Sequence, residues 1–222
     1  MDPRLRGARI NIPPTVDNAD VVFLCLLPDA ARSVLPSTRF PEHARIISVM
    51  ATITMAELKA LLPDVNPSRI VRCIPLPSCA RRLGPILQYP GTGGIYAAGD
   101  PLLQQIGTPV VCASEADMEP LIALTAMITP YHAFQQSLSE WAQEEGVEAP
   151  VAGAFVGALF SALGRLSERE FDPAFNTFAD MADDAATRGG LNEQTGATLG
   201  RAGVWGQVKG ACGAILQRLR GG

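Results

Sequence analysis

The stretch A-D-V-V-F-L-C-L-L-P, Ala19 to Pro28, decides the fold. Asp20 opens it, seven apolar residues follow, and Pro28 closes it. A continuous apolar run of that length, rich in Val and Phe, suits a strand buried on both faces. A buried helical segment gives the same run, since periodicity alone does not separate the two. Two echoes follow, A-R-I-I-S-V-M-A (Ala44–Ala51) and R-I-V-R-C-I-P (Arg69–Pro75), and the helix-sized segments D-A-A-R-S-V-L and T-M-A-E-L-K-A-L-L lie between the three. Strand and helix alternating at this spacing is the pattern of a parallel α/β sheet. Such sheets bind ligands beyond the carboxyl ends of their strands, so function is sought just after Leu27, Met50 and Ile74.

Bulk properties narrow the class. A chain of 222 residues that is 47% hydrophobic can bury a sizeable core in one or two domains. Its net charge of -4 argues against a nucleic-acid partner. Five scattered cysteines, Cys25, Cys73, Cys79, Cys112 and Cys212, never form C-x-x-C, and most sit in apolar runs. They read as buried free thiols in a reducing cytosol. The amino terminus is basic without an apolar h-region, and the run V-A-G-A-F-V-G-A-L-F-S-A-L is too short to span a bilayer, so a soluble cytoplasmic protein is expected.

A dinucleotide-binding half normally begins with a strand, then G-x-G-x-x-G, then a helix. Only eighteen residues precede Ala19, with Gly7 as their single glycine, and R-I-N-I-P-P-T-V offers one short extended piece at most. The stretch P-G-T-G-G-I-Y does not supply the loop, because Tyr96 holds the third glycine position. It reads as a hairpin turn joining P-I-L-Q-Y to I-Y-A-A. Thr54-x-x-Glu57 is a capping box for M-A-E-L-K-A-L-L. D-P-L-L-Q-Q-I-G reads as a helix ending at Gly107, and T-P-V-V-C-A as a last short strand.

From Ser114 the texture is helical. Ser114-x-x-Asp117 is a second capping box, and stripes follow at Tyr131, Phe134, Leu138 and Trp141, then at Phe155, Leu159, Phe160, Leu163 and Leu166. Asp172-Pro173 is expected to open a helix carrying Phe175, Phe178 and Met181, and Val204 to Leu219 a terminal one. Helices apolar on more than one side argue for a bundle that buries surface against a second copy, with a monomeric bundle as the alternative.

The ordered set of landmarks resembles pyrroline-5-carboxylate reductase over nearly the whole chain. A-D-V-V-F-L-C-L-L-P looks like that family's strand and cofactor loop, I-I-S-V-M-A-T-I-T-M-A-E-L like its next strand, loop and helix start, and R-I-V-R-C-I-P-L-P like its Arg-x-Met-Pro-Asn segment. T-R-G-G-L-N-E-Q matches the place of its Ser-Pro-Gly-Gly-Thr-Thr motif, and A-G-V-W-G-Q-V-K-G-A-C-G-A-I-L resembles its closing helix. The resemblance implies a truncated Rossmann-like parallel sheet domain over residues 1–113, lacking its first βα unit, and an all-helical dimerisation domain over 114–222. It implies NADP or NAD as cofactor and hydride transfer to a C=N or C=O bond of a small-molecule substrate, in a homodimer formed through the carboxy-terminal helices. Leu26, Leu27, Pro28, Met50, Ala51, Ile74 and Pro75 would then contact the cofactor, and Thr187, Gly189, Gly190 and Asn192 the substrate. Leu27 stands where the family has lysine, Leu76 where it has asparagine, and Leu191 and Asn192 replace two threonines. These departures imply a diverged substrate. The catalytic residue is not identifiable. A non-catalytic dimeric remnant that binds no dinucleotide is the competing reading.

Other groups carry less. Arg69, Arg72, Arg81 and Arg82 cluster near the third strand and would attract dinucleotide phosphates, or simply be solvated loop charge. His43 and His132 have no ligand-spaced partner, so no metal site is expected. Asp180, Asp183 and Asp184 read as the solvated face of a helix.

Overall fold

The computed structural model describes residues 14–90 and 99–221. The chain divides into two compact units, one running to Leu121 and the other from Ile122. In the first, the strands are β1 (Val21–Leu24), β2 (Arg45–Ser48), β3 (Ile70–Pro75), β4 (Pro85–Tyr89) and β5 (Thr108–Val111), paired in that order. The three apolar runs of the sequence form β1, β2 and β3, and these are parallel, with Val21 opposite Arg45 and Ile46 opposite Ile70. β4 then reverses against β3, pairing Cys73 with Gln88, and β5 runs parallel to β4. The hairpin expected after β4 falls on residues 91–98, outside the described residues.

Strand alternation explains why the runs are continuous. Ile46 faces one layer with Leu24, Ile70 and the helix residues Ala31, Leu35, Met55 and Leu58. Ile47 faces the other with Cys73, Ile86 and Leu103. Each fully buried isoleucine of this pair contributes roughly 2–3 kcal/mol. Two short helices cover the first layer. In α1 (Pro28–Val34) proline occupies the first turn, where its missing N–H costs nothing. In α2 (Met55–Leu61) the Thr54 hydroxyl accepts the Glu57 N–H at 3.2 Å. Only half of the expected capping box forms, because the Glu57 carboxylate pairs with Arg32 of α1 at 2.8 Å.

The decisive stretch behaves differently from its echoes. Only Leu24 of β1 is buried, and Phe23 is 45% exposed. The expectation of burial on both faces fails here because β1 is an edge: among the described residues no strand lies outside it. Cys25, expected to be buried, is exposed for the same reason, whereas Cys73 and Cys112 are buried. The segment from Asp100 shortens to a single 3-10 turn, Leu103–Gln105. Ahead of it the Asp100 Oδ1 accepts the Leu102 N–H at 2.8 Å in a local turn. The carboxylate is fully buried and ion-paired with Arg45 at 3.0 Å, which ties the segment to β2.

α3 (Met118–Leu124) leads into the second unit. There α4 (Ile128–Glu144) packs on α5 (Ala149–Glu170), with Phe160 set edge-on between Tyr131 and Phe134 at 5.7 and 5.6 Å. α6 (Phe178–Ala185), α7 (Leu191–Arg201) and α8 (Val204–Gly221) follow. The helix expected from Asp172 starts six residues later. The Asp172 carboxylate takes the Ala174 N–H at 2.8 Å in a turn, and Thr177 with Asp180 forms the capping box that begins α6. α5 runs for 22 residues because helix continues beyond the apolar run on both sides, and by length and composition alone it reaches the span of a membrane. Its last turns carry Arg165, Glu168, Arg169 and Glu170.

Candidate functional site

The first group of candidate residues gathers at the carboxyl ends of β1, β2 and β3. Leu27 is extended, 79% exposed, and directly precedes Pro28 at the start of α1, so no glycine turn separates β1 from its helix. Leu26 packs on the core cluster that contains Met50, and the Val49 N–H donates to the Leu24 carbonyl at 3.0 Å, which joins the first two exits. Met50 is buried core rather than an open wall. Ala51 is exposed, and its carbonyl accepts from Arg72. Ile74 and Pro75 end β3, half-buried, pairing with Leu87 and Ile86 of β4.

Arg72 is the structural tie of this region, and sequence reasoning gave it another role. It is 6% exposed. Its guanidinium binds the Ala51 carbonyl, the Met118 sulfur at 3.5 Å and the Glu115 carboxylate at 2.9 Å. Glu115 in turn accepts the Met55 N–H at 2.7 Å, at the first turn of α2. Arg72 is therefore neutralised and engaged, and it does not await a phosphate. Arg69 also departs from expectation. It sits at the amino end of β3, away from the strand exits, and donates to the carbonyls of Pro41 and Ala44 at 3.3 Å each. Arg81 and Arg82 remain exposed in the turn after β3. Glu115 was missed in the sequence because a carboxylate one residue inside a capping box reads as ordinary helix-start charge.

On the opposite layer Cys73 lies beneath Cys79, fully buried. Burial pushes its thiol up to about 12, with Asp100, Cys25 and Cys79 adding smaller contributions in the same direction. Such a thiol stays protonated and is a poor nucleophile. Among the described residues no cluster of His, Cys, Asp and Glu could hold a metal ion.

The second group belongs to the helical unit. Thr187, Gly190 and Asn192, with Ala185 and Leu191, line a hollow of about 260 Å³ at the start of α7. Gly189 has φ +73°, and a Cβ on Gly190 would meet the Thr187 carbonyl oxygen at 2.8 Å, so this turn requires both glycines. The Gly190 N–H donates to that same carbonyl at 2.7 Å, and the Asn192 amide donates to the Ala185 carbonyl at 3.0 Å. The helix entrance is not free. The Glu193 carboxylate folds back and accepts the Gly189 N–H at 2.7 Å. A glutamate at the third helical position is the sequence signal for such a return.

No family model and no curated protein matches the chain by sequence. Solved structures do match in three dimensions. A pyrroline-5-carboxylate reductase from Coxiella burnetii superimposes with a TM-score of 0.72 at 18% identity, over 92% of this chain and 76% of that one. The chain has the fold of these reductases. The Plasmodium falciparum pyrroline carboxylate reductase with NADP bound gives 0.67 at 17% identity, over 93% of this chain and 78% of its own. The Streptococcus pyogenes 1-pyrroline-5-carboxylate reductase gives 0.64 at 19%, again over 93% and 78%. The fold class, a Rossmann-like sheet followed by helices, is thus shared with that group.

Proposed function

We propose that the chain is a pyrroline-5-carboxylate-reductase-like oxidoreductase that uses NADP or NAD to reduce a C=N or C=O bond of a small molecule. One observation carries this reading. The exits of three parallel strands gather Leu26, Ala51, Ile74 and Pro75 at one end of a sheet whose fold a reductase with NADP bound shares. The cofactor supplies a hydride in this chemistry, and the chain supplies orientation and a dry wall. The apolar groups at the strand exits fit a planar nicotinamide ring. Arg72 is neutralised by Glu115 and α1 follows β1 without a glycine turn, which leaves the exposed Arg81 and Arg82 of the turn after β3 to meet its pyrophosphate. Thr187, Gly189, Gly190 and Asn192 are proposed to meet the substrate.

A cytoplasmic homodimer belongs to the same reading. In the second unit Trp141 is 60% and Phe155 68% exposed, and Leu163, Leu166, Trp205 and Val208 are also open, an apolar surface suited to a second copy. The competing reading, a dimeric remnant without catalysis, draws on two observations: the engaged Arg72 and the Glu193 carboxylate at the α7 entrance.

Assay with NADPH separates the two. The chain alone is expected to bind with a dissociation constant weaker than about 1 mM. A micromolar constant would show that a phosphate cradle exists in it after all. Oxidation of NADPH by cyclic imines or 2-oxo acids at high cofactor concentration supports the reductase. No turnover with either acceptor class supports the remnant.

A further inference from the structure

We propose that the helical unit takes its substrate as an apolar, ring-bearing imine in the protonated, cationic form and turns carboxylates away. The hollow around Thr187 adjoins a larger apolar one that carries two unpaired carboxylates. Thr187, Gly189, Gly190 and Asn192 are substrate contacts only on the reductase reading above, and this substrate class rests on it.

On α5, Leu163, Leu166 and Glu170 recur at helical spacing, and on α6 Phe178, Met181 and Ala185 do the same. The two stripes line a hollow of about 530 Å³. The turn between the helices is fixed. Asp172 and Asn176 exchange backbone hydrogen bonds at 2.9 Å, the Asn176 amide donates to the Glu170 carbonyl at 2.9 Å, and Phe171 stacks on Phe178 at 4.4 Å. Ala185 lines this hollow and also the smaller one at Thr187, so the two adjoin along the end of α6. Space of this size suits a ring-bearing molecule.

Glu170 and Asp184 select the charge. Both line the larger hollow, both are exposed, and neither has an ion-pair partner among the described residues. Asp180 is engaged, accepting from the Thr177 hydroxyl at 2.6 Å and its N–H at 2.8 Å. The basic residues of these segments, Arg165, Arg169 and Arg188, line neither hollow. Apolar walls, the ring of Phe178 and two carboxylates together fit an organic cation. At the other end the Glu193 carboxylate already takes the Gly189 N–H at 2.7 Å, so a substrate carboxylate there would meet like charge. Leu191, which also lines the smaller hollow, adds apolar surface. Neighbouring carboxylates favour the protonated form of an imine nitrogen. The iminium carbon accepts the hydride, the C=N π pair passes to nitrogen, and a secondary amine and the oxidised nicotinamide result.

The test titrates the full chain with benzyltrimethylammonium and with phenylacetate, following the Met181 methyl and Ala185 amide resonances. The cation is expected to shift both, and the anion neither. Glu170→Gln with Asp184→Asn should weaken the cation about fivefold. Met181→Trp, which fills the hollow, should abolish its binding. In parallel, NADPH oxidation is compared for 2-phenyl-1-pyrroline and 1-pyrroline-2-carboxylate. The phenyl imine is expected to show a kcat/KM at least tenfold higher, and Glu193→Ala should narrow that preference. No shift with millimolar benzyltrimethylammonium overturns the inference. If Met181→Trp also dissociates the protein to monomer, a second copy fills the hollow instead. Equal or better turnover of the carboxylate overturns the substrate class while the reductase reading stands. Cation binding in the hollow without oxidation of NADPH by either imine supports the cation site and removes the reductase reading.

Discussion

Arg72 shows how one side chain can look functional in sequence and be structural in the fold. Its guanidinium joins the loop after β2, through the Ala51 carbonyl, to Glu115 and thereby to the start of α2. Arg72→Met would strand the partly buried Glu115 carboxylate and free the Ala51 loop. The expected loss is about 3 kcal/mol in denaturant unfolding, with Arg72→Lys recovering only part because an ammonium lacks the planar fork. If Arg72 were instead a phosphate ligand, Arg72→Met would leave stability nearly unchanged. Cys73 gives a second handle. Its folded thiol is raised to about 12 from an ordinary value of 9.0. The folded state therefore holds this proton more tightly, and the resulting stability is complete below pH 9 and is lost as pH climbs from 9 to 12. Cys73→Ala should lower stability at neutral pH through the small cavity, yet flatten the alkaline decline. An unchanged alkaline slope in urea midpoints measured between pH 8 and 11 would assign that decline to other groups.

At the scale of elements, the sequence carried the three parallel ribbons because each has enough consecutive β-branched and apolar residues to fill both layers. It did not reveal that β1 would be the exposed edge, since an apolar run reports what a strand is able to bury, not what is present to cover it. Capping signals were legible where they are local. Ser114 N–H meets Asp117 at 2.8 Å as expected. They misled where tertiary partners compete: Glu57 leaves its box for Arg32, and Asp172 makes a turn instead of a helix. The glycine pair at α7 was legible as a helix entrance. Its occupation by Glu193 was not, because an N3 glutamate is as common in plain caps as in functional loops. Glu193→Ala should release the Gly189 N–H. In the variant, small carboxylates such as acetate or proline are expected to shift the Gly189 amide resonance. In the native chain that resonance should stay fixed, because its own carboxylate already holds the position. Equal response of both proteins would mean that Glu193 leaves the entrance freely in solution.

For the molecule as a whole, the two units differ in how they satisfy their apolar surface. The first has two closed core layers, apart from the β1 edge. In the second, from Ile122 on, the buried hydrophobic residues are Ala123, Ala152 and Val156 among the described residues, while aromatic and aliphatic side chains from α4, α5 and α8 lie open. An apolar surface of that extent is rarely left to water by a stable monomer. Interleaved pairing of two such units would bury it, with Gly153 and Gly157 on α5, where an added Cβ would meet nothing within 4 Å, leaving space for a close helix. Light scattering at micromolar concentration should therefore give twice the 23.5 kDa chain mass. The double substitution Phe155→Glu with Leu163→Glu places charge in the centre of the proposed contact and should shift the protein to monomer. The far-ultraviolet helical signal should fall with it, since most helix stability in such a unit comes from packing of the apolar face. A native chain that remains monomeric under these conditions would overturn the paired assembly. Retention of full helicity in the monomeric variant would show that the second unit folds without a partner.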